Sequence, residues 1–203
     1  MTQDLKQKQS RTQSLPKAQT GPGRPRGFDE AEALGQALQV FWKQGYEATS
    51  IDDLTAAMRL SRSSFYSAFS SKQDVFVAAL RAYSENALGT LEQLAQGERE
   101  EALEAMVLAL SGASDGPKGC MLVNCITELA PHNEQVAEIG RQHLERIEDL
   151  FARVLSPQDP GAANSTASAL SALAIGILTL RKSGVSAHRI EQALSTARTL
   201  FTT

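Results

Sequence analysis

The chain has 203 residues, of which 42% are hydrophobic and 21% are charged, and its formal net charge is −3. This composition allows a hydrophobic core and excludes a histone-like or wholly disordered protein. No run of about 18 uninterrupted apolar residues is present, and the sequence shows neither a secretory leader nor a disulfide framework, so we expect a cytoplasmic protein without a membrane span.

The charge is unevenly distributed along the chain. Residues 1–27 carry six basic residues against one acidic residue, and the rest of the chain is acidic. This first segment is rich in Gln, Ser, Thr, Gly and Pro and has almost no large apolar side chains, which predicts a disordered basic arm. A basic arm before an acidic body is typical of a protein that touches a polyanion with one end, although charge alone is equally consistent with a solvated tail.

The remaining segments show the helical period, which predicts an all-α fold of about nine helices. The first helix is predicted to begin at Asp29, with Glu32 three residues later, and to end at Gly45. A second, short helix is predicted to begin at Thr49 or Ser50, where either hydroxyl is a candidate cap.

A tight turn at Arg59 and Leu60 is predicted to separate the second helix from a third short helix capped by Ser61. Two short helices joined by so small a turn are a candidate helix-turn-helix. A long fourth helix is predicted to begin after Ser71 and to run towards Gly97. Five further helices are predicted around residues 100–110, 119–129, 133–155, 162–181 and 186–201.

The stretch from Gly45 to Phe76 resembles the DNA-binding domain of the TetR family of bacterial transcriptional regulators. The matching features are Gly45-Tyr46, Thr49-Ser50, Ala56-Ala57, Leu60-Ser61, Phe65-Tyr66, Phe69 and Ser71-Lys72, with Gly23-Arg24-Pro25-Arg26 upstream. The resemblance implies a basic arm (residues 1–27), a three-helix helix-turn-helix domain (28–74) and a helical ligand-binding and dimerisation domain (75–203).

Two positions depart from the family pattern. Arg59 stands where glycine is usual, so the turn either takes a less strained conformation or holds an arginine in the left-handed region. Ser67-Ala68 stands where a second aromatic residue or histidine is frequent, so base specificity is expected to depend more on Arg62 and on DNA shape.

The second helix of a helix-turn-helix lies in the major groove, which identifies the candidate contacts. Arg62 is a candidate for a bidentate contact to guanine. The small serine hydroxyls of this helix could contact bases or phosphates, and residues at the starts of the neighbouring helices could bind phosphates. Two arginines of the basic arm could enter an adjacent minor groove. The full candidate DNA-binding set is Arg24, Arg26, Thr49, Ser50, Arg62, Ser63, Ser64, Tyr66, Ser67 and Lys72. Taken alone, each of these residues is more often a cap, a core aromatic or a solvated charge.

Residues 119–124 resemble the Gly-Cys-Leu-hydrophobic-x-Asn start of the sixth helix in one subgroup of the family, which includes sensors of electrophiles and small unsaturated acids. The resemblance implies a small-molecule inducer, and the candidate ligand-binding residues are Cys120, Asn124 and Glu128. Cys120 at a helix start is either a reactive thiol or a small buried hydrophobe. Cys125 is predicted to lie in the core. The spacing of the cysteines and histidines matches no metal motif, so no metal or cofactor is predicted.

The last two helices are rich in Ala, Ser and Leu. The resemblance implies that they form a homodimer interface, and ordinary packing within one chain is the alternative. An enzyme is not expected, because the sequence has no Gly-rich phosphate loop, no His-Glu-x-x-His motif and no nucleophile elbow. A second alternative is a helical adaptor that kept this scaffold without specific DNA binding. The expected partner is double-stranded operator DNA, which a repressor would bind as a dimer.

Overall fold

The computed structural model describes residues 28–112 and 119–202. Nine α-helices and no strand occur within these two ranges, in agreement with the predicted all-α class. The helices are α1 (Glu30–Ala48), α2 (Ile51–Ala57), α3 (Arg62–Ala68), α4 (Lys72–Leu94), α5 (Arg99–Leu110), α6 (Met121–Glu128), α7 (Glu134–Leu155), α8 (Asn164–Lys182) and α9 (Ala187–Thr199). Short 3₁₀ turns occupy Ala130–His132, Pro160–Ala163 and Leu200–Thr202. The candidate residues Arg24 and Arg26 lie outside the described residues.

The first four helices begin at the caps that the sequence predicts. The Asp29 carboxylate accepts the backbone N–H groups of residues 31 and 32. The hydroxyls of Ser61 and Ser71 each accept the N–H three residues later. Ser50, rather than Thr49, caps α2, and it forms a reciprocal capping box with the third helical residue. Each cap satisfies a backbone donor that a helix leaves unpaired in its first turn.

Two positions take the left-handed backbone conformation between these helices. Gly45 has φ 81° and interrupts the regular helix at the residue where the sequence predicts its end, and one further helical turn follows to Ala48. Arg59 has φ 54°, which decides between the two turn conformations that the sequence left open. An L-residue pays a steric cost there, and glycine would not.

Two groups of buried side chains hold the molecule together. The first lies under the helix-turn-helix and contains Phe41, Phe65 and Phe76, which are at most 1% exposed, together with residues of α6 and α7. The second lies between α4, α5, α7, α8 and α9. Because α4 contributes to both, from Val75 to Leu91, it joins the helix-turn-helix to the rest of the bundle. The predicted domain boundary at residue 74 therefore falls in the first turn of a helix that both cores share.

One helical segment of the described chain, Pro160–Lys182, is long and apolar enough to cross a membrane by length and composition, with a mean hydropathy of 1.4. The segment has no uninterrupted apolar run of that length, but a mean value tolerates its interspersed serine, glycine and threonine. The helix packs against α5, α7 and α9 and buries Leu170, Ala174 and Ile177. It is therefore a helix of the bundle, and a core helix passes the same compositional test.

Candidate nucleic-acid interface

Helix α3 turns one face to the core and the other to solvent. Phe65 is fully buried, and Phe69, one turn later, is 6% exposed. The hydrophobic anchor at Phe65 turns the neighbouring positions outward, so Arg62, Tyr66 and Ser67 are exposed. Tyr66 is 54% exposed and packs its ring edge-on against Phe65, with ring centroids 5.4 Å apart. Phe65 and Phe69 therefore lie in the core, while the candidate recognition residues of the same helix face outward.

Arg62, the first residue of α3, is held by a carboxylate of α2. The Asp52 Oδ1 atom accepts Nε–H of Arg62 at 2.9 Å and Nη2–H at 2.7 Å. Both side chains are exposed, and the hydrogen bonds that the guanidinium donates to Asp52 raise the pKa of Arg62. The pair joins the two helices of the helix-turn-helix at their outer surface, a contact that sequence reasoning missed.

The serine hydroxyls of α3 are engaged with one another. Ser61 Oγ lies 2.9 Å from the hydroxyls of both Ser63 and Ser64. Ser67 donates its hydroxyl to the backbone carbonyl of Ser63 at 2.8 Å. A hydroxyl bonded in this way still has lone pairs that accept hydrogen bonds. The surface of α3 around Arg62 is thus small and polar, which permits close approach to a duplex.

The two residues before α2 differ in their availability to a phosphate. Thr49 is 2% exposed, and its hydroxyl donates to the carbonyl of Gly45 at 2.6 Å. The expected phosphate contact of the Thr49 side chain does not fit this position, because the hydroxyl lies inside the fold. Ser50 is exposed, but its N–H and its hydroxyl both donate to Asp53, and these bonds lower the pKa of that carboxyl. Of the two, only Ser50 lies on the surface.

Lys72 has a structural task that the sequence analysis did not foresee. Its Nζ atom donates to the carbonyls of Tyr46 and Thr49, each at 2.9 Å, and reaches that of Glu47 at 3.4 Å. The ammonium also lies 4.4 Å from the centre of the Tyr46 ring. These carbonyls lie at the C-terminal end of α1, where the Tyr46 oxygen also accepts the N–H of Thr49, so the lysine closes α1 and ties it to α4. The positive charge of Lys72 would attract a phosphate of the DNA, but the N–H groups of the ammonium already donate to the backbone carbonyls.

A polar relay continues from this point into the bundle. The Tyr46 hydroxyl donates to Gln73 Oε1 at 2.9 Å, and Gln73 Nε2 donates to Gln135 Oε1 at 3.1 Å. The relay connects α1 through α4 to α7. The helix-turn-helix is thereby joined to the rest of the bundle by hydrogen bonds as well as by the shared core.

Two of the three predicted ligand-binding residues line a cavity of about 210 Å³ at the junction of α1 and α6. Asn124 and Glu128 lie on the α6 side, and Trp42 and Tyr46 on the α1 side. The Lys182 ammonium donates to Asn124 Oδ1 at 2.7 Å and brings the end of α8 to the same place. We call this the junction cavity. It combines apolar rings with a carboxylate, an amide and an ammonium.

The two cysteines have different surroundings. Cys120, the N-cap of α6, is partly buried and accepts a hydrogen bond from the Tyr83 hydroxyl at 3.4 Å, but it does not line the junction cavity. Cys125 does line it and is 4% exposed, as the predicted core position requires. Burial raises the pKa of the Cys125 thiol to about 12, so this group stays protonated and unreactive.

A second cavity, of about 230 Å³, lies between α4 and α7 and had no sequence signal. At its wall, Ser84 Oγ lies 2.8 Å from Nδ1 of the buried His143. Burial and the charge of Arg146 lower the pKa of His143 to about 4, against a smaller opposing effect of Glu85. Nowhere in the described ranges do three His, Cys, Asp or Glu side chains meet closely enough to hold a metal ion.

Comparison with known proteins agrees with this architecture. The family model of the bacterial regulatory proteins of the tetR family matches residues 33–79. The chain is 32% identical to the HTH-type transcriptional regulator YezE of Bacillus subtilis over 158 residues, which cover 75% of this chain and 81% of YezE. It is 36% identical to the HTH-type transcriptional repressor ComR of Escherichia coli over 121 residues, 57% of this chain and 58% of ComR.

Among solved structures, the TetR family transcriptional regulator CifR in complex with a 26-bp double-strand operator DNA superposes with a TM-score of 0.70 at 25% identity. The match covers 86% of this chain and 98% of CifR. The residues that the family model matches extend from α1 to the start of α4 and include α3, on which Arg62 faces outward. The chain therefore belongs to the TetR family of bacterial transcriptional regulators.

Proposed function

We propose that this regulator binds a palindromic operator as a homodimer, represses transcription there, and leaves the DNA when a small molecule binds. The observation that carries the proposal is the outward face of α3, where Arg62, Tyr66 and Ser67 are exposed around the buried anchor Phe65. This face has the form of a recognition helix, whose first residues reach base edges in the major groove. The operator DNA bound by CifR supports the proposal that α3 of this chain also faces DNA. The proposed site of action is the cytoplasm, where a bacterial transcriptional regulator meets its DNA.

A homodimer follows from the small surface of one helix-turn-helix, because two half-sites are needed for useful affinity. The exposed side of α8 supplies a candidate interface, a stripe of small residues one helical turn apart. The stripe contains Ser165, Ser168, Ala169, Ala172 and Gly176. A Cβ atom added at Gly176 would meet nothing within 4 Å, so the surface is open to a second helix.

The proposed interface differs in detail from the sequence expectation. Leu173 and Leu194, two leucines of the helices that the sequence predicts to form the interface, are half-buried and pack against the core of their own chain. Close approach of two copies would instead use the small-residue stripe, since small side chains let helix backbones come together. Exposed residues of α9 would complete a four-helix contact.

The junction cavity is the proposed inducer site. An occupant would touch Trp42 and Tyr46 on α1 as well as Asn124 and Glu128 on α6, so it would contact the DNA-binding head directly. If a ligand binds better when the helix-turn-helix is displaced than when it is in its DNA-bound position, the ligand lowers the affinity for the operator. Operator DNA then lowers the affinity for the ligand by the same factor. Cys120 lies at the start of the same helix, so an electrophile that modifies it would disturb α6, as the resemblance of residues 119–124 to the sensor subgroup suggests.

The test begins with selection of duplexes from a random pool by the full-length protein. Binding of the selected operator is then compared among wild type, Arg62→Ala and Arg153→Ala, which removes the same charge from the exposed end of α7. We expect Arg62→Ala to cost about 1–3 kcal/mol and to relax one base pair in each half-site, and Arg153→Ala to change nothing. Failure to select any sequence above nonspecific binding would contradict the proposal and favour the adaptor function.

A further inference from the structure

The contact between Asp52 and Arg62 occupies one particular edge of the arginine. Nε–H and Nη2–H, which lie on the same side of the planar guanidinium, both donate to the single oxygen Oδ1 of Asp52. A guanidinium has five N–H donors in a rigid fork. The three donors left over belong to Nη1 and to the outer position of Nη2, so they lie at the tip of the side chain.

The tip is the edge that a guanine requires. Guanine presents O6 and N7 side by side in the major groove, and two parallel N–H groups fit them as a pair. The Arg62 side chain is 65% exposed, and its tip is not used by the bond to Asp52. Because Asp52 of α2 binds the edge of the guanidinium formed by Nε and Nη2, the edge formed by Nη1 and Nη2 at the tip is the one that faces a base. We refer to this orientation as end-on.

This restraint has an energetic reason. A free arginine side chain loses much rotamer entropy when it is fixed in a complex, and a side chain that is ordered beforehand loses less. The Asp52 carboxylate also repels the phosphates of any duplex, whatever its sequence. Loss of Asp52 is therefore expected to leave general DNA affinity unchanged or higher while it weakens discrimination among bases.

We propose that Asp52 is a positioning residue that holds Arg62 end-on for one guanine of each operator half-site and thereby sets the specificity at that base pair. The proposal depends on the function proposed above, because it needs Arg62 to face a base. Asp52 itself touches no base in this account. It acts on specificity through the orientation of its partner.

The neighbouring carboxylate provides a matched control. Asp53 occupies the next position of α2 and is also exposed to solvent, but it accepts hydrogen bonds from Ser50 and from Gln44 Nε2. Its task is to cap the helix. Removal of Asp53 weakens α2 and should lower affinity for all sequences alike, whereas removal of Asp52 should act at one base pair.

The experiment measures dissociation constants of the full-length dimer for the selected operator and for versions in which the base pair read by Arg62 is changed to each alternative. The variants are Asp52→Ala, Asp52→Asn, Asp53→Ala, Arg62→Ala and the double variant of residues 52 and 62, each checked for folding by circular dichroism. We expect Asp52→Ala to reduce discrimination at that base pair about five-fold, the scale of one exposed ion pair. Asp52→Asn, which keeps an acceptor oxygen, should retain part of it.

Three outcomes distinguish the possibilities. If Arg62→Ala abolishes discrimination but Asp52→Ala leaves it intact, Arg62 reads the base unaided and the positioning proposal is wrong, while the proposed function stands. If Asp52→Ala raises affinity and discrimination together, Asp52 withholds Arg62 from DNA, which also overturns the proposal. If Arg62→Ala changes discrimination at no base pair, Arg62 does not read a base, and the recognition role in the proposed function is wrong together with the positioning proposal. The double variant should behave as Arg62→Ala alone.

Discussion

His143 makes the stability of this protein depend on pH in a predictable direction. The side chain lies on α7 and is 6% exposed, with Nδ1 at 2.8 Å from Ser84 Oγ. Burial and the nearby charge of Arg146 lower its pKa from 6.5 to about 4. The folded protein therefore keeps this imidazole neutral at pH values where an unfolded chain protonates it.

The sign and size of the effect follow from this difference. Below about pH 6.5 the unfolded chain binds a proton that the folded chain does not, so the free energy of unfolding falls as the pH falls. The contribution of His143 is fully present above about pH 6.5 and is lost progressively down to about pH 4. The difference between the two pKa values corresponds to about 3 kcal/mol.

The assay compares wild type with His143→Asn in urea unfolding at about pH 7 and about pH 4.5, at one protein concentration. Asparagine keeps a polar atom near Ser84 but does not titrate, and the carboxylates titrate equally in both proteins. We expect the wild type to lose about 2–3 kcal/mol more than the variant on acidification. An equal loss in the two proteins would show that His143 titrates normally, which would refute the argument from burial.

Three further predictions concern packing, thiol chemistry and assembly. A Cβ atom at Gly140 would lie 2.7 Å from Ile126 Cγ1, so Gly140→Ala should force α6 and α7 apart and cost about 1–3 kcal/mol in urea unfolding; unchanged stability would contradict this close packing. Iodoacetamide should modify Cys120 before Cys125, because the Cys125 thiol is buried with a pKa of about 12; the reverse order in peptide mass mapping would contradict it. Ala172→Arg should give monomers in sedimentation, and dimers that persist would rule out the stripe on α8.

Local features of the fold could be predicted from the sequence. The caps of the first four helices could be predicted, with Thr49 as the only competitor of Ser50, because a cap and the N–H group it accepts are at most three residues apart. The core position of Phe65 can likewise be predicted from the helical spacing of apolar residues. The break at Gly45 was predicted as well, but the helical turn that follows it to Ala48 was not.

Contacts between distant parts of the chain could not be predicted. Lys72 binds the carbonyl of Tyr46 across 26 residues, and the bond between Asp52 and Arg62 crosses the turn between two helices. Nothing local to Lys72 specifies its carbonyl partners, although a cation in the first turn of a helix is unfavourable towards the helix dipole and therefore hints at another partner. The burial of Thr49 and the second cavity around His143 depend in the same way on how helices pack.

The most direct test of the central claim is methylation protection of the selected operator by the full-length protein, because dimethyl sulfate reacts with guanine N7 in the major groove, where Arg62 is proposed to bind. We expect protected guanines in two symmetric half-sites, about one helical turn or a multiple of it apart, and loss of that protection with Arg62→Ala. Protection confined to one site, or unchanged in the variant, would contradict a dimer that reads DNA through α3.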